Sequence, residues 1–165
     1  MINIKRVSKV VKGGKRMKLS ATVVVGDGKG MVGLAHGKAS EVAIAVRKAS
    51  DRARKSMVKI MVAKHTIPHE TYGKFGASRV ILKPASEGTG LIAPPQIRAV
   101  LEACGLRDVL TKSLGSNNPY NLAMATLKAL SKLRSLPEIA KARNKPIGYF
   151  IERRDEGESK KGEDS

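Results

Sequence analysis

Seven cations, Lys5, Arg6, Lys9, Lys12, Lys15, Arg16 and Lys18, fall within the first eighteen residues, with no acid among them. Such a run repels itself unless a polyanion lies against it. Its chemistry is neutralisation: each cation laid on a phosphate releases condensed counterions, so binding falls steeply with salt. Ser8 lies within the run, and Gly13-Gly14 interrupts it. Glycine there lets a charged turn approach a phosphate backbone closely. Lys29 in a later turn, Lys38 after a strand, and Arg54 and Lys55 on a helix extend the candidate set. Cations on strands, turns and one helix, with few aromatics between them, suit backbone and shape readout of folded RNA.

Other constellations carry less. Gly28-Lys-Gly-Met-Val-Gly33 has dinucleotide-loop spacing, but that loop needs a strand before it and a helix opening on it. Here Asp27-Gly28 reads as a hairpin turn and a strand follows, so tight-turn geometry explains the glycines. Pro84 to Gly90 (PASEGTG) could offer amides to an anion, but it lacks the Gly-Lys-Ser/Thr ending and carries Glu87. Its residues favour a structural loop over an anion site. His65 and His69 have helical spacing, but Pro68 between them breaks a helix and no third metal ligand is evident. Tyr72 to Val80 lacks the aromatics of a base-stacking strand. No Cys–His, Ser–His–Asp or paired-carboxylate arrangement stands out. Neither an enzyme nor a cofactor is expected.

The elements that position the cations are bounded by composition. The chain has 165 residues, 32 Lys+Arg against 14 Asp+Glu, and a net charge of +18. Residues 1–64 carry 16 basic and 3 acidic residues, 65–151 carry 12 and 5, and 152–165 carry 4 and 6. The charge is therefore concentrated at the front, and 152–165 reads as a disordered charged tail. Aromatics are 3% and hydrophobics 41%, so the core must be Val, Ile, Leu, Ala and Met. Cys104 is the only cysteine, which excludes an intrachain disulfide. No apolar run approaches the ~18 residues of a membrane span. Met1 to Leu19 lacks the apolar stretch of a signal peptide. A soluble, cytoplasmic protein with no membrane partner is expected.

Ile2 to Val11, Met17 to Gly26 and Met31 to Ala35 read as antiparallel strands joined by the Gly-Gly and Asp-Gly turns. Ser40 reads as an N-cap with Glu41 in the first turn. Val42, Ala45, Val46, Ala49 and Ala53 form the apolar stripe of the helix that follows, which ends near Ser56. Met57 to Ala63 reads as a strand, His65 to Ala77 as a loop, and Arg79 to Lys83 as a strand. Pro94-Pro95 opens a helix closed by Gly105. Asp108 to Lys112 is a short strand, and Asn118-Pro119 caps a helix with Leu122, Leu127, Leu130 and Leu133 inward. Pro137 to Gly148 is a short helix or an irregular end. The fold class is α+β, with a β-β-β-α module over 1–56, an α/β module over 57–151 and the tail over 152–165.

The motif series is specific. Arg6-Val-Ser-Lys-Val-Val-Lys-Gly-Gly-Lys15, Val25-Gly-Asp-Gly-Lys-Gly-Met-Val-Gly33, Gly37-Lys-Ala39, Arg79-Val80, Pro84-Ala-Ser-Glu-Gly-Thr-Gly90, Arg98-Ala-Val-Leu-Glu102 and Gly115-Ser-Asn-Asn-Pro119 follow in order. Together they resemble the family of bacterial small-subunit ribosomal protein five over Arg6 to Ile147. The resemblance implies a double-stranded-RNA-binding-like first module. It implies a second module of the type named after domain 2 of this family, which some small-molecule kinases share. Their phosphate-loop pattern is absent at Pro84 to Gly90, so kinase activity is not implied. It further implies binding to small-subunit ribosomal RNA, a role in subunit assembly and decoding accuracy, and contacts with ribosomal proteins four and eight near messenger RNA entry. By the same match, the loop Arg6 to Arg16 reaches the neck between head and body, with Ser8, Lys12, Gly13 and Gly14 as key positions. Gly88, Gly90 and Arg98 fall where the family meets protein four. Pro94-Pro95 departs from the small residues common there.

Overall fold

The computed structural model describes residues 1–63 and 65–148. The expected tail lies outside them. The fold is α+β: two four-stranded sheets with helices packed on them. Residues 1–133 form one compact unit and residues from 134 onward a second.

The first sheet is antiparallel, in the order β1 (Asn3–Val11), β2 (Gly14–Gly26), β3 (Met31–Ala39) and β4 (Val58–Lys59). On β2 and β3, Ala21, Val23, Gly33 and Gly37 face the helix α1 (Val42–Lys55), which lies across the sheet. Ala45, Ala49 and Ala53 on α1 recur every fourth residue and are fully buried. A Cβ at Gly37 would stand 2.8 Å from the Ala49 amide and run into the Ala45 carbonyl, and one at Gly33 would meet the Ala53 carbonyl. The small stripe and the two glycines therefore set the helix close on the sheet. The N-cap is Glu41 rather than Ser40, and its side chain makes no capping bond.

The second sheet has the order β5 (Thr71–Phe75), β6 (Ser78–Pro84), β8 (Val109–Gly115) and β7 (Leu91–Ile92). Only β7 and β8 run parallel, and the helix α2 (Pro95–Cys104) lies between them in sequence. A further helix, α3 (Pro119–Leu130), packs on β5 and β6 and against α2. Val80, Leu82, Val100, Leu101, Val109, Leu122 and Leu130 lead a core that also takes in Val32, Leu34 and Ile60. That core is aliphatic, as the composition requires.

Three further expectations needed correction. Met57 to Ala63 is not a strand of the second sheet; only Val58–Lys59 is extended, and it joins the edge of the first. The stretch expected to be a loop before Ala77 contains β5, because Gly73 serves packing: a Cβ there would meet the Ala125 carbonyl and lie 2.8 Å from Ala129 Cβ on α3. The strand after the Asp-Gly turn continues past Ala35 to Ala39.

The unit from residue 134 contains α4 (Leu136–Ala142). Ser135 Oγ accepts from the Glu138 amide at 3.3 Å, and the Ser135 amide donates to Glu138 Oε2 at 3.1 Å. This capping box stabilises a helix of only seven residues.

Candidate nucleic-acid interface

The last rung that β3 contributes is Leu19↔Ala39. Beyond it, Val7↔Lys18 to Val11↔Gly14 form a two-stranded ribbon with no third strand among the described residues. These five rungs project about 15 Å from the sheet. The ribbon turns through Lys12 and Gly13, whose φ of +154° suits glycine. Nothing stands within 4 Å of a Cβ placed at Gly13 or Gly14, so the tip is open on all sides.

Register sorts the cations, because alternate side chains along a strand face opposite ways. Lys5, Lys9, Arg16 and Lys18 share the face away from α1, and Lys38 joins them through the rung Lys5–Ser20–Lys38. Arg6, Ser8 and Lys15 point to the α1 side, and Lys12 sits at the tip. Among the described residues no acid forms a salt bridge with this group. Val10, Val11 and Met17 are exposed between the charges, at 72%, 47% and 53%.

The remaining cations lie elsewhere. Lys29 is in the turn between β2 and β3, which docks on the end of α2: the Gly28 amide donates to the Ala103 carbonyl at 3.1 Å and the Gly30 amide to the Cys104 carbonyl at 3.0 Å. These bonds satisfy last-turn carbonyls that a helix leaves unpaired. Asp27 braces the same turn, accepting from the Lys29 amide at 2.8 Å and the Met31 amide at 2.9 Å. Those two donors, Lys29 first, hold the Asp27 carboxyl below its ordinary value. Burial pushes the Cys104 thiol up to about 11, with a smaller contribution from the Asp27 charge. Arg54 and Lys55 occupy the last turn of α1, where cations suit the negative end of the helix dipole. Arg54 also lies 3.9 Å from Asp51 in an exposed pair. That end of α1 packs by Gly33, so Arg54 and Lys55 are at the end of the sheet opposite the ribbon.

The glycine-rich loop after β6 is tied inward. The Ala85 amide donates to Thr66 Oγ1 at 3.3 Å, the Thr89 amide to the Ser86 carbonyl at 3.2 Å, and the Gly90 amide to Oδ1 of the buried Asp108 at 2.9 Å. These amides are committed, which favours the structural reading of the loop. Gly88 and Gly90 have φ of +89° and +76°. Arg98 Nη2 donates to the Leu91 carbonyl at 2.9 Å, so the arginine is fastened beside the loop's exit. Among the described residues no three His, Cys, Asp or Glu side chains converge on a metal position. None of the described helices is long and apolar enough to cross a membrane.

The sequence marks His36 as a sheet-surface residue or an RNA contact but does not single out Asn3, Ser20 and Thr22, which share its face with Lys5 and Lys38; Asn118 and Tyr120 at the start of α3 adjoin them. Polar residues two apart in three successive strands were the available signal.

Comparison with known proteins agrees with this architecture. A family model described as "Ribosomal protein S5, N-terminal domain" matches residues 1–61, and one for the C-terminal domain of the same protein matches residues 73–143. The small ribosomal subunit protein uS5 of Lawsonia intracellularis (strain PHE/MN1-00) is 53% identical over 145 residues, which is 88% of this chain and 89% of that protein. Its counterpart in Syntrophobacter fumaroxidans (strain DSM 10017 / MPOB) is 50% identical over 147 residues, covering 89% of each. That of Chloroflexus aurantiacus (strain ATCC 29364 / DSM 637 / Y-400-fl) is 49% identical over 154 residues, 93% of this chain and 86% of that protein. With both family models matched in order and relatives at half identity along nearly their whole length, the chain belongs to the ribosomal protein S5 family.

Proposed function

We propose that the chain works in the cytoplasm within the small ribosomal subunit, binding small-subunit ribosomal RNA through phosphate neutralisation and shape. Family membership makes it a structural constituent of that subunit and not an enzyme. The observation that carries the RNA reading is the projecting ribbon, whose cations on one face continue through Lys5 to Lys38 without an acid partner among the described residues. A two-stranded basic arm enters a groove or spans phosphates by geometry, without needing aromatics to stack bases.

In this reading the ribbon tip at Ser8, Lys12, Gly13 and Gly14 reaches the neck between head and body. The segment Gly88, Gly90 and Arg98 faces ribosomal protein four, protein eight lies alongside, and messenger RNA enters nearby. Subunit assembly and decoding accuracy follow from holding these parts in register. Residues 1–56 supply the RNA-binding module and 57–151 the protein contacts. The test is co-sedimentation of the purified chain with small subunits after a moderate salt wash, with duplex DNA as competitor. Retention on the subunit and release only at high salt are expected. Loss in the wash, or equal affinity for duplex DNA, would overturn the ribosomal reading, the latter in favour of a general nucleic-acid binder.

A further inference from the structure

The face of the first sheet away from α1 holds a cavity of about 230 Å³. Two cross-strand rungs make its floor, Asn3–Thr22–His36 and Lys5–Ser20–Lys38. The start of α3, from Asn118 to Tyr120, makes its wall. No acid lines it.

Three features give it chemistry. Thr22 is 8% exposed, lines the cavity, and has a hydroxyl with no hydrogen-bond partner among the described residues. That hydroxyl opens on the cavity, where an incoming polar group can both donate to it and accept from it. Lys5 and Lys38 stand one strand to either side of Ser20, so their Cα atoms are about 10 Å apart and both chains can reach one anion between them. Neither is in a salt bridge among the described residues. The third feature is a ring wall: His36 meets Tyr120 edge-on at 5.4 Å, and Tyr120 meets Phe75 at 6.1 Å. The α3 dipole adds its positive end there, although Asn118 Oδ1 already takes the Tyr120 amide at 3.2 Å.

Size and setting choose among phosphate-bearing occupants. The volume lies below the ~300 Å³ at which sites for whole drug-sized ligands begin. A piece of a longer chain fits better than a complete free cofactor. The same face carries Lys9, Arg16 and Lys18 along the ribbon, so a strand tracking those cations passes over the cavity mouth. Neutral groups on the floor (Asn3, Ser20, Thr22) suit a sugar hydroxyl.

We propose that this cavity seats one ribonucleotide of the bound RNA, with its phosphate between Lys5 and Lys38 and its ribose 2′-hydroxyl on Thr22 Oγ1. The 2′-hydroxyl both donates and accepts, as the threonine does, and it is what distinguishes RNA from DNA at a contact. The inference rests on the ribosomal-RNA reading above and sharpens it from charge to a sugar contact.

The test uses the full-length chain with a short single-stranded oligoribonucleotide, its 2′-deoxy counterpart, and free adenosine monophosphate. Wild type should prefer the ribo form by about fivefold, the worth of one hydrogen bond. Thr22→Val should abolish the preference and Thr22→Ser should keep it. Lys5→Gln with Lys38→Gln should lower the salt slope by about 1. Lys12→Gln, outside the cavity, should weaken binding and leave the preference intact. A ribo preference that survives in folded Thr22→Val overturns the proposal. If Thr22→Val loses its melting transition, the lysine pair decides, and an unchanged slope overturns it. Saturable competition by adenosine monophosphate at the concentrations where the oligonucleotide binds makes this a free-nucleotide site and likewise overturns it. Failure of wild type to bind ribosomal RNA would sink the broader function. Binding of that RNA by wild type and cavity variants alike sinks only the cavity assignment.

Discussion

Lys12→Glu separates what the ribbon does for binding from what it does for folding. Lys12 is exposed at a tip that no third strand among the described residues supports. No structural contact is lost, so the stability change should stay within about 0.5 kcal/mol, the usual range for such surface positions. For a unit of this size that is a melting shift of at most about 3 °C. Binding should respond more. A lost charge-assisted phosphate contact is worth about 1.5 kcal/mol, or about tenfold in affinity, and removes about 1 from the salt slope. Gly13→Asp adds a backbone cost of about 1 kcal/mol, because φ at +154° disfavours a side chain. Two-stranded hairpins are marginal alone, so that strain should fray the tip before it reaches the core. Gly37→Ala is the opposite control. Its Cβ would press on the α1 backbone, an overpacking cost of about 1–3 kcal/mol, while leaving every cation in place. Melting curves and filter binding to small-subunit RNA at several salt concentrations read both axes. Two results would refute the reasoning: parallel losses of melting temperature and affinity in Lys12→Glu, or a salt slope unchanged from wild type.

Two further outcomes follow from the turn that docks on α2. Cys104 is fully buried with its thiol raised to about 11, so a thiol reagent at pH 8 should label it only as fast as the unit opens. The folded state holds that proton more tightly than the unfolded one; this contribution is complete below the ordinary thiol value and is lost as pH rises toward 11. Prompt labelling in native buffer would contradict the burial. Asp27→Ala removes the acceptor for the Lys29 and Met31 amides and should speed hydrogen exchange at Gly28 and Gly30. In wild type the Asp27 contribution is present above the ordinary carboxylate range and is lost as pH falls through its lowered value, so the same amides should loosen in acid. Unchanged protection in Asp27→Ala would show that α2 alone holds the turn.

Much of the fold was legible because its signals are local. Proline opening and glycine closing α2, Asn118 capping α3, and the Asp-Gly turn each depend on a few adjacent residues. The ribbon was legible as charge, but its projection was not: that depends on where β3 stops, at Ala39 opposite Leu19. The candidate cations read as one set. Register divides them between two faces, and topology sends Arg54 and Lys55 to the far end of the sheet. Lys29 stands on a turn whose glycine amides cap another helix, a role that needs the fold to bring α2 alongside.

The glycines show why the remainder was hidden. Gly13 and Gly73 are indistinguishable by type, and both read as chain breaks. Gly13 stands in open space at a turn, whereas Gly73 lies within β5 beneath Ala125 and Ala129 of α3. Gly33 and Gly37 repeat that second use beneath Ala45, Ala49 and Ala53 of α1. The distinguishing signal is therefore not in the glycine but in a helix elsewhere in the chain that presents alanines every fourth residue. In a chain with so few aromatics, close approach of backbones replaces large side chains in filling the space between layers. A strand glycine opposite such a helix reads as a packing seat even when its neighbours look like a loop, and it is there, rather than at the turns, that adding one methyl group should cost most.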